Sequence, residues 1–279
     1  MIINPKDFNG KKYNRVFIFG CSFTNYIWPT WANVLHLETN PGTLAYNYGK
    51  TGGGNLFILS TMMAAHQKHR FTKGDLILLM WSTFCREDRY IGHGWETPGN
   101  LWTQDMYDEK FIKKYACAKG YTVRDLALIS AGTKVMEQFE CDALAFLSVP
   151  PDWDKRYAVD FHEFDEVTQL YKDVIDSYPE VMYETVKDGT GGWVNGHHYH
   201  WPGVGGSTEK KLFSDYHPNT KMYMKYLMNV GINVSQETQN KVQQYMSELE
   251  TLNHSDTIRA WGENIYRGLG NYFWHNHLI

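Results

Sequence analysis

The feature that most constrains the fold is an alternation of short apolar runs with longer helical patterns in the first half of the chain. The apolar runs, each short enough to be a buried strand, are Arg15–Gly20, Leu44–Tyr48, Leu76–Trp81 and Cys141–Val149. The intervening segments predict helices at Trp28–His36, Leu56–Gln67 and Tyr121–Phe139. Such alternation predicts a parallel sheet with helices on both faces. Because ligands of such sheets bind beyond the carboxyl ends of the strands, the loops that follow the strands are where we expect a site.

The domain organisation follows from length and from the remaining patterns. A chain of 279 residues with 43% hydrophobic residues suits one large α/β domain that carries additional segments. We predict a single domain over 1–279, with an irregular insertion at about 152–211 that contains one helix. A helical C-terminal extension is predicted at about 232–279.

Charge and composition exclude several classes of partner. The net charge is −4 and no run of Lys or Arg is present, so we expect no nucleic-acid partner. The N-terminal segment has no apolar signal region and no stretch is long enough for a membrane span. We therefore expect no membrane partner and a cytoplasmic location. The four scattered cysteines predict reduced, mostly buried thiols with no zinc spacing.

Two loops after predicted strands contain residues that suit chemistry. Ser22 follows the first strand at a turn into a helix, where backbone N–H groups favour developing negative charge. A serine that merely caps the helix would give the same pattern. The loop over 47–55 is rich in glycine and can present backbone amides to a ligand. It lacks the glycine spacing of nucleotide-binding loops, which favours an oxyanion hole over a phosphate cradle.

A third segment, late in the chain, pairs an aspartate with a histidine. Asp215 and His217 lie two residues apart, immediately before a predicted helix that begins at Pro218. An aspartate beside the Nδ1 atom of a histidine fixes its tautomer and stabilises its protonated form. Helix capping by Asp215 is the alternative interpretation of the same residues.

Together, the three segments resemble the blocks of the SGNH/GDSL hydrolase family over roughly 13–150 and 212–231. The resemblance implies a three-layer α/β/α flavodoxin-like sandwich with a central parallel sheet of about five strands. It implies that Ser22 is the nucleophile and that His217, oriented by Asp215, is the base. It also implies that the amides of Ser22 and Gly52 form the oxyanion hole.

This sequence departs from the family pattern at two places. Cys21 stands where the family usually has an aspartate, which makes Cys21 a rival nucleophile that we rank below Ser22. The asparagine that usually completes the oxyanion hole is missing after Trp81. We expect the hydroxyl of Ser82 or Thr83 to replace it. Arg86 is expected to approach the same pocket and to contact substrate.

The predicted function is that of a serine ester hydrolase that forms an acyl-enzyme on a small acyl ester. Trp193, Tyr199 and Trp201 could stack on a sugar, which favours carbohydrate O-acetyl groups, although the same residues could form a lid over the core. The histidines within 197–200 have no nearby cysteine or carboxylate, so a surface histidine loop is favoured over a metal site. We expect no metal or organic cofactor, and a small-molecule or glycan ester as the partner.

Two alternatives share this scaffold. An acyltransferase would use the same residues and differ only in the acceptor. A catalytically degenerate glycan-binding or structural protein is the other, since the missing asparagine and the aromatic content are features we expect of a phage- or virus-encoded relative. Its location would then be the cytoplasm of an infected host cell. The sequence does not indicate an oligomeric state.

Overall fold

The structure is a computed structural model that describes residues 1–102, 107–151, 161–178, 181–183, 197–201 and 211–274. Its strands are β1 (Arg15–Phe19), β2 (Leu44–Asn47), β3 (Asp75–Trp81), β4 (Arg86–Ile91), β5 (Gly94–Asn100), β6 (Asp142–Leu147), β7 (His197–Trp201), β8 (Lys211–Asp215) and β9 (Tyr272–Phe273). Its helices are α1 (Pro5–Phe8), α2 (Trp31–Leu37), α3 (Asn55–His69), α4 (Glu109–Tyr115), α5 (Ala118–Gln138), α6 (Phe161–Leu170), α7 (Lys172–Asp176), α8 (Thr220–Asn229), α9 (Gln236–Glu250) and α10 (Ser255–Gly268).

The centre of the fold is a five-stranded sheet with the order β6-β3-β1-β2-β9. Every pair of neighbours in it is parallel. Four of these strands are the four apolar runs predicted from the sequence. The fifth, β9, comes from the C-terminal tail and pairs with β2 through Ala45 and Tyr46.

Alternate residues along each strand supply two separate cores. In β1, Val16 and Ile18 join one apolar cluster, while Phe17 and Phe19 join the other. The first cluster includes residues of α2, α8 and α9, and the second includes residues of α3, α5 and α6. Fully burying one such side chain contributes about 1.5–3 kcal/mol, which explains why these strands consist almost entirely of apolar residues. The predicted three-layer α/β/α sandwich around a parallel sheet of five strands is confirmed.

The register of the sheet brings three loops to one edge. Ile18 lies opposite Asn47 on one side and Leu78 on the other. The loops that follow β1, β2 and β3 therefore begin at the same carboxyl edge. The amide of Lys50 donates to the carbonyl of Gly20 at 3.1 Å, which fixes two of these loops against each other.

The start of α3 is stabilised by a residue from another element. Asp88 of β4 accepts the amides of Gly54 and Phe57 at 2.8 and 2.9 Å. Burial raises the pKa of the Asp88 carboxyl, although the two amides and nearby arginines oppose that rise. A negative group at a helix N-terminus is stabilised by the unpaired amides and the helix dipole. The hairpin β4–β5 is thereby fixed beside the glycine-rich loop.

The segment predicted to be irregular contains regular elements wherever the structure describes it. Helices α6 and α7 lie in it, and strand β7 forms an antiparallel hairpin with β8. Within β7, Tyr199 is buried and His198 is exposed, the two-residue period of a strand. The histidines at 197–200 thus belong to a strand, and the prediction of a surface loop there is wrong.

The structure also tests the expected state of the cysteines and the expected absence of a membrane-spanning helix. Cys21, Cys85 and Cys141 are buried, Cys117 is exposed, and all four are reduced thiols, as predicted. Among the helices that the structure describes, none combines the length and the apolar character that crossing a lipid bilayer requires.

Helix α10 packs closely on the segment that follows Ser22. A Cβ atom added to Gly262 would lie far inside van der Waals contact with the backbone carbonyl of Ile27. The hydroxyl of Tyr266 donates to the carbonyl oxygens of Tyr26 and Trp28 at 2.6 and 2.9 Å. The C-terminal extension therefore fixes the backbone of residues 26–28.

We expect Gly262→Ala to lower the free energy of unfolding by about 1–3 kcal/mol, because a backbone carbonyl cannot yield as a side chain can. Gly268→Ala, in the same helix, is the matched control, since nothing lies within 4 Å of its added Cβ. Its stability should be unchanged or higher by up to about 1 kcal/mol. Urea denaturation measures both, and equal stabilities would show that the Gly262 contact is not restrictive.

Candidate active site

Ser22, His217 and Asp215 form one hydrogen-bonded chain at the carboxyl edge of the sheet. The Oγ atom of Ser22 lies 2.8 Å from Nε2 of His217. Nδ1 of the same ring lies 2.8 Å from Oδ1 of Asp215. The structure thus brings together three predicted residues from two segments almost 200 positions apart along the chain.

Local structure explains how each of the three is held. Ser22 lies in the turn after β1, where the amides of Thr24 and Asn25 both donate to the carbonyl of Cys21. Asp215 is the last residue of β8. His217 stands just before α8, whose first turn is capped by the side chain of Asn219.

The charge state of Asp215 determines the tautomer of His217. Burial by itself would raise the pKa of this carboxyl, but hydrogen bonds from His217 and Tyr26 and the charge of His217 bring it below its usual value. An ionised carboxylate only accepts hydrogen bonds, so Nδ1 of His217 must carry a proton. In the neutral ring Nε2 is then an acceptor, and the Ser22 hydroxyl donates to it. This arrangement is able to transfer the serine proton to the histidine.

Two tyrosines complete the surroundings of Asp215: Tyr26, which the sequence did not indicate, and Tyr199, which was predicted only to stack on a sugar. The hydroxyls of Tyr26 and Tyr199 both donate to Oδ2 of Asp215, the latter at 2.9 Å. Burial, and then the charge of Asp215, raise the pKa of both phenols far above the usual value, so both remain donors. The ring of Tyr26 also stacks on the ring of His217, with centroids 3.9 Å apart.

The glycine-rich loop over 47–55 begins at the same edge of the sheet as the turn that holds Ser22. Gly52 has a φ of +77°, which favours glycine, and an added Cβ would clash with the carbonyl of Thr97 in β5. The Asn25 side chain donates to the carbonyl of Gly49 at 2.9 Å and fixes the start of the loop. Within the residues that the structure describes, the amides of Ser22 and Gly52 donate to no acceptor. Both are therefore available to a ligand.

The loop after β3 holds two hydroxyls where the family pattern has an asparagine. Ser82 is fully buried, and its backbone amide donates to the side chain of Asn55 at 2.8 Å. In the described part of the chain, the Ser82 hydroxyl has no hydrogen-bond partner. The Thr83 hydroxyl accepts a hydrogen bond from Nε of Arg86 at 2.6 Å, which leaves its own proton free to donate.

Arg86 joins two of the loops. Besides Thr83, its guanidinium donates from Nη1 to the carbonyl of Gly53 at 2.9 Å. The side chain is only 9% exposed. Arg86 therefore links the glycine-rich loop to the loop after β3, and two of its donors already bind protein atoms. Its predicted contact with substrate stays a prediction.

The other sequence-based candidates lie in different surroundings. Cys21 is fully buried in the apolar cluster formed with α2 and α8, so its thiol faces the core and away from the site. Trp201 ends β7, and only its backbone is described. Trp193 lies outside the described residues. Nε2 of His197 is 2.7 Å from the carbonyl of Leu252, and among the described residues no group of three or more His, Cys, Asp or Glu is placed to hold a metal ion.

No family model matches this chain, and no curated protein matches it. A solved structure is similar to it. That structure is described as a member of the lipolytic protein G-D-S-L family from Veillonella parvula DSM 2008, and it shares 14% sequence identity with this chain. The similarity covers 77% of this chain and 94% of that chain, with a TM-score of 0.41.

Proposed function

We propose that this protein is a serine ester hydrolase that acts through an acyl-enzyme on a small acyl ester. The observation that carries the proposal is the hydrogen bond between Ser22 and His217, with the buried carboxylate of Asp215 behind the ring. A serine hydroxyl is a weak nucleophile alone, and an adjacent base that is itself oriented by a carboxylate is what activates it.

The proposed reaction has two half-reactions. Ser22 Oγ attacks the ester carbonyl carbon while His217 Nε2 takes the hydroxyl proton, and a tetrahedral intermediate forms. As the C–O bond to the alcohol breaks, His217 returns that proton to the leaving oxygen, and the acyl group stays on Ser22. Water then attacks the acyl-enzyme with His217 again as base, which releases the acid and restores the serine.

We assign the oxyanion hole to the amides of Ser22 and Gly52 and to a hydroxyl from the loop after β3. The register of β1, β2 and β3 supports this assignment, because it starts all three loops at the same edge. Thr83 is the favoured hydroxyl, since Arg86 already occupies one of its acceptor positions. The buried positive charge of Arg86 would further stabilise negative charge on the substrate oxygen.

The proposed substrate class is an ester with a small acyl group, of which carbohydrate O-acetyl esters are one example. Tyr216, between Asp215 and His217 in the chain, supports a carbohydrate as the alcohol part of the ester, because this residue is 60% exposed. Exposed aromatic rings provide flat apolar faces on which a sugar ring can pack.

A fluorophosphonate probe tests the proposal. We expect one equivalent of adduct, located on the Ser22 peptide by mass spectrometry, together with hydrolysis of p-nitrophenyl acetate. His217→Ala should lose both, because the serine then has no base. If the folded protein gives no adduct and releases no nitrophenol above the rate of the buffer, the proposed activity is wrong. Addition of an alcohol acceptor separates hydrolysis from acyl transfer by the products formed.

A further inference from the structure

We infer that Tyr26 and Tyr199 are positioning residues that hold Asp215 in one orientation and thereby set how readily His217 accepts a proton. The inference rests on the proposed function for its catalytic meaning, since it assigns to these two phenols a role in the same site. Neither residue belongs to the sequence blocks that suggested the site.

Several donors from the described residues surround the carboxylate of Asp215. Oδ1 accepts the backbone amide and Nδ1 of His217, at 2.7 and 2.8 Å. Oδ2 accepts the hydroxyls of Tyr26 and Tyr199. Each carboxylate oxygen therefore has two donors, and the side chain is fully buried. Hydrogen bonds to a charged group are stronger than those between neutral groups, so rotation of this carboxylate would break several strong contacts.

Tyr26 also contacts the ring of His217 directly. The two rings are nearly parallel, at 18°, and Phe23 meets the imidazole edge at a centroid distance of 5.3 Å. The imidazole is thus held from two sides. A protonated imidazole is attracted to an aromatic face, so the stack stabilises the form that appears during the reaction.

Both tyrosines are themselves fixed by other elements. The carbonyl of Tyr26 accepts the hydroxyl of Tyr266 in α10, and Trp28 packs edge-on against the Tyr26 ring at 4.7 Å. Tyr199 is fully buried in an apolar cluster with Leu249 of α9 and Ile258 of α10. The C-terminal extension therefore supports the side of Asp215 that faces away from Ser22.

Loss of either tyrosine hydroxyl should change how readily His217 binds a proton, and the direction of that change can be derived. Within the described residues, Asp215 is faced by His217, Tyr26 and Tyr199 and more distantly by buried Tyr223, and Arg259 acts on Tyr199 from α10. Two phenol dipoles disperse part of the negative charge of Asp215. Removing one concentrates that charge on the oxygen that faces the imidazole, which favours the protonated ring. The acidic limb of the pH–rate profile should then move to higher pH.

Tyr26→Phe and Tyr199→Phe test this inference, because each removes one hydroxyl and keeps the ring. We expect each to lower kcat/KM about 10-fold, mostly in kcat, and to move the acidic limb up by about half a pH unit. Tyr26→Leu also removes the stacked ring and should lower kcat/KM further than Tyr26→Phe does. Tyr13→Phe is the matched control: its hydroxyl donates to Asp142 at 3.0 Å, remote from the site, so its profile should equal that of the parent protein.

A second readout separates this inference from the proposed function. In Ser22→Ala, which cannot turn over, NMR signals of the His217 ring can be titrated with and without Tyr26→Phe. Movement of that titration to higher pH supports the inference even if no ester is hydrolysed. Titrations that coincide in the two proteins, with rate profiles matching Tyr13→Phe, would overturn it. If Tyr199→Phe proves unstable in thermal unfolding, the partly exposed Tyr26 carries the test alone.

Discussion

Ser22→Ala is expected to lower kcat/KM for a small acetyl ester by about 10⁴- to 10⁶-fold and to abolish fluorophosphonate labelling. Ser22 is the hydroxyl within hydrogen-bond distance of His217 Nε2, so its loss removes the attacking atom and leaves the base without a partner. The protein should remain folded, because the serine side chain makes no contact that the core requires. We expect the variant to lose ester hydrolysis and to keep the circular dichroism spectrum of the parent protein.

Cys21→Ala is the control that makes this result specific. Cys21 is the adjacent residue and the other potential nucleophile, but its side chain is fully buried against the core. Its truncation should cost about 1 kcal/mol of stability through lost packing and change kcat/KM by less than about twofold. If Cys21→Ala lost activity while Ser22→Ala retained it, the assignment of the nucleophile would be reversed.

Short-range signals account for the parts of the fold that were predicted correctly. Strands β1, β3 and β6 are runs of apolar residues buried on both faces, and such runs are distinct from their flanking turns. Ser22 lies in the turn after β1 and Gly52 in the loop after β2, so a parallel sheet starts both loops at the same edge. The spacing of Asp215 and His217 before a helix fits helix capping equally well, and it was the resemblance of all three segments to one family that favoured a catalytic role.

The parts that were not predicted depend on contacts between distant segments. Strand β9 has only two residues and exists because β2 offers an open edge. Tyr26 reaches Asp215 across 189 positions of the chain, and no local pattern distinguishes it from other aromatic residues. The alternation within β7 was a usable signal for Tyr199, but the histidines around it suggested a polar loop.

The replacement of the family's asparagine is a further case. The sequence shows only that hydroxyls and an arginine follow Trp81. Their arrangement depends on the turn at Cys85, which has a φ of +60°, and on the hairpin that brings Arg86 back toward Gly53. In that geometry Arg86 links two loops, a role that the sequence did not indicate, while its predicted contact with substrate stays a prediction.

Gly52→Ala is expected to lower kcat about 100- to 1000-fold with a smaller effect on KM, the loss typical of removing one oxyanion donor. The added Cβ would clash with the carbonyl of Thr97, and the φ of +77° is unfavourable for alanine. The loop must therefore shift, and its amide no longer points at the position that the substrate oxygen would occupy.

Gly42→Ala separates the effect of the steric clash from the effect of the left-handed backbone. Gly42 also has a left-handed backbone, with a φ of +92°, but nothing lies within 4 Å of its added Cβ. It should lose about 1 kcal/mol of stability, as alanine does in this backbone region, and keep its rate. Steady-state kinetics and thermal unfolding on both variants provide the comparison. If the two variants had the same kcat, the amide of Gly52 would not be an oxyanion donor, and stabilisation of the intermediate would have to come from Ser22 and Thr83 alone.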